Sequence, residues 1–458
     1  MTTQTHDQLD ALARRQAEKT IRKVAGISLI GTSIEWYDFF LYGAAAATVF
    51  PKVFFAGDLP PLVALMAAFA TFAVGFVARP VGGVIFGHFG DKLGRKGTLV
   101  TALVMMGVAT TLIGVLPGHA VVGAWAPLLL IVLRFVQGLA IGGQWGGAML
   151  LVTESAPADR RGFYGSFAQA GAPFGVVLAN LALLLVSSTL SEEAFLAWGW
   201  RVPFLLSVIL VAVALYVQLR LEETETFRRL QQLSVERAAQ ARAAEGGVAK
   251  VRGRSPVLQV LASHPKRIAL AAGAFVAVQV AFYILIAFVI AYGANGPGVK
   301  VSRDTMLVAV LIGALVMAPA VFISGAISDR YGRRRIFMAG AALLGVWAFA
   351  LFPLLDTGSL PLIALGIGVA QIFVAMMYGP QAAFFAELFS TEVRYSGASL
   401  GYQLGAILGG AVAPLAATAL LGQFGNGLAI SAYIAAACAI SLVSVAMLGE
   451  TYKTDLHS

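Results

Sequence analysis

Charge is what this sequence has least of. Only 12% of its 458 residues are Asp, Glu, Lys or Arg, against the roughly 25% that a soluble surface carries. With 59% hydrophobic residues and a mean hydropathy of +0.83, the outer surface is expected to meet lipid. Cysteine is almost absent. Cys438 stands alone inside an apolar run, which excludes a disulfide framework and suits a small packed side chain. Histidine offers no ligand cluster, because His6, His88, His119, His264 and His457 all fall in tails or loops. No metal, no cofactor and no catalytic constellation is therefore expected. The sequence also lacks a phosphate-cradling loop, which argues against ATP-driven transport. No signal peptide precedes the first apolar run, and the head Met1–Lys23 is polar, so the first helix itself is expected to direct insertion.

What is present is a succession of long uncharged stretches. Apolar runs lie near 24–50, 61–86, 98–117, 126–151, 163–188 and 199–220, then near 268–293, 304–328, 336–354, 360–385, 397–421 and 426–448. Such runs read as helices across ~30 Å of hydrocarbon. The expected fold is all-α integral membrane, twelve transmembrane helices in two six-helix halves. The net charge of +9 looks like a nucleic-acid footprint until its carriers are placed. With the N-terminus inside, 26 of the 32 Lys and Arg lie on inner loops and tails. Only Lys52, Arg201, Lys300 and Arg303 lie outside, while Arg79 and Arg134 fall within runs. That asymmetry puts both termini in the cytoplasm and removes nucleic acid as a partner. The expected organisation is a cytoplasmic head (1–23), a bundle (24–221), a cytoplasmic linker (222–265), a second bundle (266–450) and a tail (451–458). The linker is charged and reads as an amphipathic surface helix, with regulation as the alternative role.

The halves repeat. Gly87-His88-Phe89-Gly90-Asp91-Lys92-Leu93-Gly94-Arg95-Lys96 follows the second run, and Gly325-Ala326-Ile327-Ser328-Asp329-Arg330-Tyr331-Gly332-Arg333-Arg334 follows the eighth. Glu154 precedes Arg161 by seven positions, and Glu387 precedes Arg394 by the same interval. Two coincident motifs at one period indicate a parallel-repeat transporter. Glycine permits the tight link, and the aspartate can favour the N-terminal end of the helix that follows. These residues are gating candidates, or else topology punctuation. Glycines also recur on two equivalent helices: Gly165, Gly171 and Gly175 on the fifth, and Gly397, Gly401, Gly405 and Gly409 on the eleventh. Small residues spaced by four allow close approach, as a sliding seam between halves or as static packing.

Four segments carry a family resemblance: Gly31-Thr32-Ser33-Ile34-Glu35-Trp36-Tyr37-Asp38-Phe39-Phe40-Leu41-Tyr42-Gly43, Arg79-Pro80-Val81-Gly82-Gly83, Arg134-Phe135-Val136-Gln137-Gly138, and Trp198-Gly199-Trp200-Arg201-Val202-Pro203-Phe204. Through them the chain resembles the major facilitator superfamily, specifically its metabolite:proton symporter family, over essentially its whole length. It departs at Glu223-Thr224-Glu225-Thr226-Phe227, where the family commonly has a proline, and at Gly449-Glu450-Thr451, where many relatives have Pro-Glu-Thr. The resemblance implies proton-coupled uptake of a small molecule by a functional monomer in a bacterial inner membrane. It leaves the cargo open between organic acids such as shikimate or α-ketoglutarate and zwitterions such as proline and betaine, with drug/proton antiport disfavoured.

Ionisable groups in hydrocarbon are costly, at least ~2.5 kcal/mol each, and mark function. Glu35, Asp38, Arg79 and Arg134 are the four within runs. Glu35 and Asp38 share a helical face, and two carboxylates in a poorly hydrated cavity resist ionising together, as a proton carrier needs. At 1.5 Å per residue, Asp38 sits ~21 Å above the inner edge and Arg134 ~10 Å below the outer edge of a ~30 Å core. The heights agree, so Asp38 and Arg134 are expected to pair, either as a coupling pair or as a permanent structural bridge. Arg134 is then the candidate to take a substrate carboxylate when a carboxyl group is protonated. Arg79 reads as snorkelling to the inner surface, with gating or substrate contact as the alternative. Tyr37, Tyr42 and Gln137, with Gln279, Tyr283, Gln371, Tyr378, Tyr402 and Gln403 of the second half, are candidate substrate contacts, or else packing polarity. Gln144, Gln169 and Gln381 stand under the same alternatives.

Overall fold

Backbone polar groups have no water to bond to inside a bilayer, so each crossing must satisfy itself as a helix. The computed structural model describes residues 2–93, 95–142, 149, 152–153, 156–222, 236, 264–389 and 394–452. It describes side chains at 21–86, 100–142, 149, 152–153, 156–213, 215–216, 236, 264–389, 394 and 397–452. Among these, helices α1 (Thr2–Thr48), α2 (Pro61–Leu93), α3 (Arg95–Val115), α4 (Trp125–Gly142), α5 (Arg161–Thr189) and α6 (Arg201–Glu222) form the first half. The second half holds α7 (Pro265–Asn295), α8 (Arg303–Tyr331), α9 (Arg333–Asp356), α10 (Leu360–Leu388), α11 (394–424) and α12 (Leu428–Met447). Nine described helices are long and apolar enough to cross a membrane, and the pair Glu192–Gly199 and Arg201–Val213, bent by 45°, makes a tenth. α3 contributes the shorter apolar stretch Val100–Val115.

Prolines sit inside α2, α5, α8, α9 and α10, which neighbouring helices tolerate in a membrane bundle. α7 and α11 each open into one π-helical stretch, Ile284–Phe288 and Ile407–Ala411. Such stretches often mark functional sites.

The halves meet where α5 lies along α8 and α10, α2 along α11, and α1 along α7. Most of the repeated glycines face away from that seam, although Gly165 stands against Ala382 and Ala383 of α10. A Cβ on Gly171 or Gly175 would strike Thr32 or Trp36 of α1, and one on Gly401, Gly405 or Gly409 would strike Ala271, Phe275 or Gln279 of α7. These glycines therefore fix packing within each half. α5 and α11 do lie on the seam, but these five glycines face inward, because spacing by four identifies a close face without saying which helix fills it. The tightest crossing joins α2 to α4, where a Cβ on Gly82 would meet Leu139 backbone and one on Gly142 would meet Arg79 backbone.

Candidate functional site

α1 carries the first-half polar cluster because α6 and α3 offer hydroxyls at the same depth. Asp38 is 1% exposed. Its Oδ1 accepts a hydrogen bond from Ser207 Oγ on α6 at 2.5 Å, and Thr110 of α3 stands beside it. The Oδ2 atom closes no hydrogen bond among the described residues. Tyr37 next to it donates to the Pro203 carbonyl at 2.8 Å, so two bonds pin α1 to α6. Glu35, about a turn lower, is half-buried.

Arg134 is fully buried, at 0% exposure. Its Nη1 donates to Gln137 Oε1 at 3.0 Å, and Gln137 Nε2 donates to Thr110 Oγ1 at 2.7 Å. The guanidinium carbon lies 4.1, 4.2 and 4.7 Å from the ring centres of Phe39, Tyr42 and Phe72. Its Nε and Nη2 have no hydrogen-bond partner among the described residues. The space it occupies exists because residue 75 is glycine: a Cβ there would lie 2.7 Å from Nε. The expected direct Asp38–Arg134 ion pair does not form. The two heights agree, but Ser207 holds the acid and Gln137, one turn from Arg134, holds the base.

Arg79 overturns the snorkelling expectation. It too is 0% exposed, with its guanidinium carbon 4.4 Å from the Phe39 ring centre, 4.5 Å from Phe76 and 5.6 Å from Trp36. It stands against the hydroxyls of Tyr283 and Tyr402 across the seam, yet among the described residues none of its three nitrogens closes a hydrogen bond of good geometry. The apolar run suggested a helix ending soon after Arg79. α2 continues to Leu93, about 50 Å in all, and Arg79 lies near its middle. Because both guanidinium carbons lie close to the Phe39 ring, they are within the sum of those distances, 8.5 Å, of each other.

Between the halves lies a small enclosed space of about 10 Å³, room for about one water. Trp36, Phe40, Gln279, Tyr283, Tyr378 and Tyr402 are among its walls. Gln279, Tyr283, Tyr378 and Tyr402 are thus brought together as expected. Gln371 and Gln403 are buried but do not line this space; Gln371 packs beside Gly313 of α8. Tyr37 and Tyr42 turn to Pro203 and to Thr71 instead. Gln169 crosses the seam to the Tyr378 carbonyl at 3.3 Å and to Gln381 Oε1 at 3.4 Å. Sequence reasoning missed Thr110 and Ser207. Ser207 was detectable as the lone hydroxyl in the run Val202–Leu215.

At one end of the bundle the second repeat motif ties the halves together. Asp329, in the last turn of α8, accepts the backbone N–H groups of Gly162 at 2.8 Å and Phe163 at 2.9 Å, at the N-terminus of α5. Arg333 grips Asp329 at 2.6 Å and Glu387 at 3.3 Å, while Thr451 donates to Glu387 at 2.7 Å. Asp329 therefore does not serve the following helix. The Arg333 N–H at the start of α9 goes to Glu450 at 2.9 Å instead, and Gly332 at φ +99° makes the turn between them. Glu387 pairs with Arg333 rather than with Arg394, which donates to the Phe389 carbonyl at 3.3 Å. Arg161 lies close enough to act on Glu387. Glu154 and Gly94, the side chains of Asp91, Arg95 and Lys96, the surroundings of Gly87, Gln144 and most of the linker lie outside the described residues. Asp329→Ala removes a charged acceptor from two N–H donors. Hydrogen bonds to charged groups contribute about 1.5–3 kcal/mol, so spin labels across this end should show a widened distance distribution. An unchanged distribution would mean that the end is held by packing alone.

At the opposite end Arg303 bridges to Glu192 at 2.9 Å, Lys52 to Glu192 at 3.4 Å, and Ser187 donates to Asp304 at 2.8 Å. The Lys52–Glu192 pair is largely exposed and so weak.

The sequence pattern of the Major Facilitator Superfamily matches residues 28–394 and 299–456. The inner membrane metabolite transport protein YhjE of Escherichia coli K12 is 41% identical over 95% of both chains. The shikimate transporter of the same strain is 38% identical, over 94% of this chain and 95% of its own. That strain's proline/betaine transporter is 31% identical, over 95% of this chain and 85% of its own. A partially occluded, inward-open structure of the xylose transporter XylE from E. coli superposes with a TM-score of 0.72 at 17% identity, covering 95% of this chain and 99% of that one. At that identity the likeness is one of fold.

Proposed function

The chain belongs to the major facilitator superfamily, whose members are membrane transporters and not enzymes, and from that premise we propose proton-coupled uptake of a small organic acid by alternating access. The observation that carries this reading is the pair of fully buried guanidinium groups, Arg79 and Arg134, neither of which closes an ion pair with a carboxylate among the described residues. A buried cation without a counter-charge costs several kcal/mol, and a substrate carboxylate would supply that charge by paired, charge-assisted hydrogen bonds. Aromatic faces stabilise the cations in the meantime. Asp38, with Glu35 below it, carries the proton. Gln279, Tyr283, Tyr378 and Tyr402 complete the substrate pocket, and the ring wall must part to admit a molecule larger than water. Asp329, Arg333, Glu387, Arg161 and Arg394 gate the cytoplasmic end, with the Asp91 motif and Glu154 as their first-half counterparts. Both termini face the cytoplasm of a bacterial inner membrane, and two bundles, 24–221 and 266–450, move about the linker 222–265.

A zwitterion is the second reading. The proline/betaine relative favours it, and the rings of Trp36, Phe40 and Phe282 at the cavity would suit a quaternary ammonium. Liposomes holding a pH-sensitive dye separate the two. Acidification of the lumen by carboxylates alone supports acid symport, a response only to proline or betaine supports the second reading, and silence to both refutes proton symport.

A further inference from the structure

Half of the cavity wall comes from one helix. α7 supplies Phe275, Val278, Gln279, Phe282 and Tyr283, five of the ten lining residues, so whatever fixes the path of α7 fixes where cargo meets the second half. Protein rather than lipid surrounds this helix, because the apolar window of its span is wholly buried. On one side Gly401, Gly405 and Gly409 of α11 press on it. On another stands α12, admitted by Gly273, where a Cβ would strike Ser444. At that crossing Ser441 of α12, 0% exposed, reaches the α7 backbone. Its Oγ accepts the Ala277 N–H at 2.9 Å and donates to the Gly273 carbonyl at 2.8 Å. These are the donor and acceptor of one rung, the i→i−4 pair that an α-helix otherwise closes on itself. A side chain set into that ladder is a known cause of helix bending.

The bridged rung lies directly behind the cavity wall. Phe275 and Gln279 follow Gly273 and Ala277 by two residues, about 200° round the helix, and Ser441 itself does not line the cavity. The internal repeat marks the same spot. Ser207 and Ser441 are 234 positions apart, within the 233 to 238 that separate the repeated motifs, on helices α6 and α12 that pack against α1 and α7. In the first half that serine donates to the side chain of Asp38. In the second half α7 carries no acid, and the serine holds its backbone instead. We propose that Ser441 is a positioning residue for cargo: by bridging the Gly273–Ala277 rung from outside the cavity, it sets the path of α7 and so the placement of Phe275, Val278 and Gln279. This role holds whichever cargo or ion is carried. In Ser441→Ala the Ala277 N–H can return to the Gly273 carbonyl, so the helix keeps its hydrogen bonds while its wall shifts.

Two readouts on the full-length protein test this, one without cargo and one with it. Spin labels at Ala294→Cys on α7 and Phe424→Cys on α11, both exposed, report the path of α7 in a Cys438→Ala background. Their mean distance should shift in Ser441→Ala and return in Ser441→Thr, which restores the hydroxyl. Exchange in proteoliposomes is then measured with whichever of radiolabelled shikimate, α-ketoglutarate or betaine the wild type carries. Ser441→Ala should raise KM at least about fivefold, the loss of about one hydrogen bond to cargo, while kcat and the thermal midpoint hold. Ser444→Ala, which removes a neighbour of Gly273 on the same face of α12, should move neither readout. A Ser441→Ala KM equal to that of the wild type overturns the proposal, and so does an unmoved label distance; a lowered midpoint as the only change marks a purely structural serine. If Ser441→Thr fails to fold at so close a crossing, the contrast of Ser441→Ala with Ser444→Ala carries the decision. If none of the three compounds is carried, the reading of the cargo fails separately and the label distance decides alone.

Discussion

Asp38→Asn abolishes proton-driven accumulation and spares exchange. Asparagine keeps the shape of the acid, and its oxygen accepts the Ser207 hydrogen that Oδ1 takes now. The variant therefore stands in for a carrier that is permanently loaded with a proton. Folding and reorientation should persist, but no proton can leave. One proton moved with one carboxylate carries no net charge, so the pH gradient alone drives it: two pH units supply about 2.7 kcal/mol, which corresponds to about 100-fold in concentration ratio. The wild type should reach an accumulation of that order with one proton per substrate, and Asp38→Asn should reach equal concentrations on the two sides. Counterflow at matched pH should change by less than about threefold. Accumulation by Asp38→Asn against a gradient would remove Asp38 from the coupling role.

Arg79→Met separates function from stability. Both are long, unbranched side chains, so the rings of Phe39, Phe76 and Trp36 keep a packing partner. The variant loses a buried charge that no carboxylate pairs with among the described residues. Replacing an uncompensated buried ion by an apolar group is commonly neutral or stabilising, so the thermal unfolding midpoint should hold or rise. Transport should fall, because charge-assisted hydrogen bonds to a substrate contribute about 1.5–3 kcal/mol, or about 10- to 150-fold in kcat/KM. Near-normal transport would return Arg79 to a packing role. A lowered midpoint would show that its charge stabilises the closed form.

Much of this was legible in the sequence. Apolar run length and the placement of Lys and Arg predict twelve crossings, and the repeated G-x-x-x-D-x-x-G-R motif predicts two halves. The depth of a residue follows from rise per residue, which is why Asp38 and Arg134 were expected at one level. Depth leaves the direction of a side chain about its helix axis open, and that direction sends Asp38 to Ser207 and Arg134 to Gln137. Arg79 was misread because hydropathy ends a span where charges begin, whereas α2 runs on to Leu93. Spacing marks Glu387 and Arg394 as a repeat of Glu154 and Arg161 but names no partner for the acid. Its cation is Arg333, from a helix distant in sequence. Tyr283 and Tyr402 were expected at the cavity, but nothing in their local sequence says that Arg79 of the other half meets them there.

The most direct test of proton-coupled acid uptake is accumulation in proteoliposomes under an imposed pH gradient, acidic outside, with radiolabelled shikimate, α-ketoglutarate and betaine offered separately. An organic acid should accumulate inside above its outside concentration, and a protonophore should discharge it. Cargo that only equilibrates, with or without the pH gradient, would contradict proton coupling. Accumulation of betaine alone would contradict the carboxylate assignment of Arg79 and Arg134.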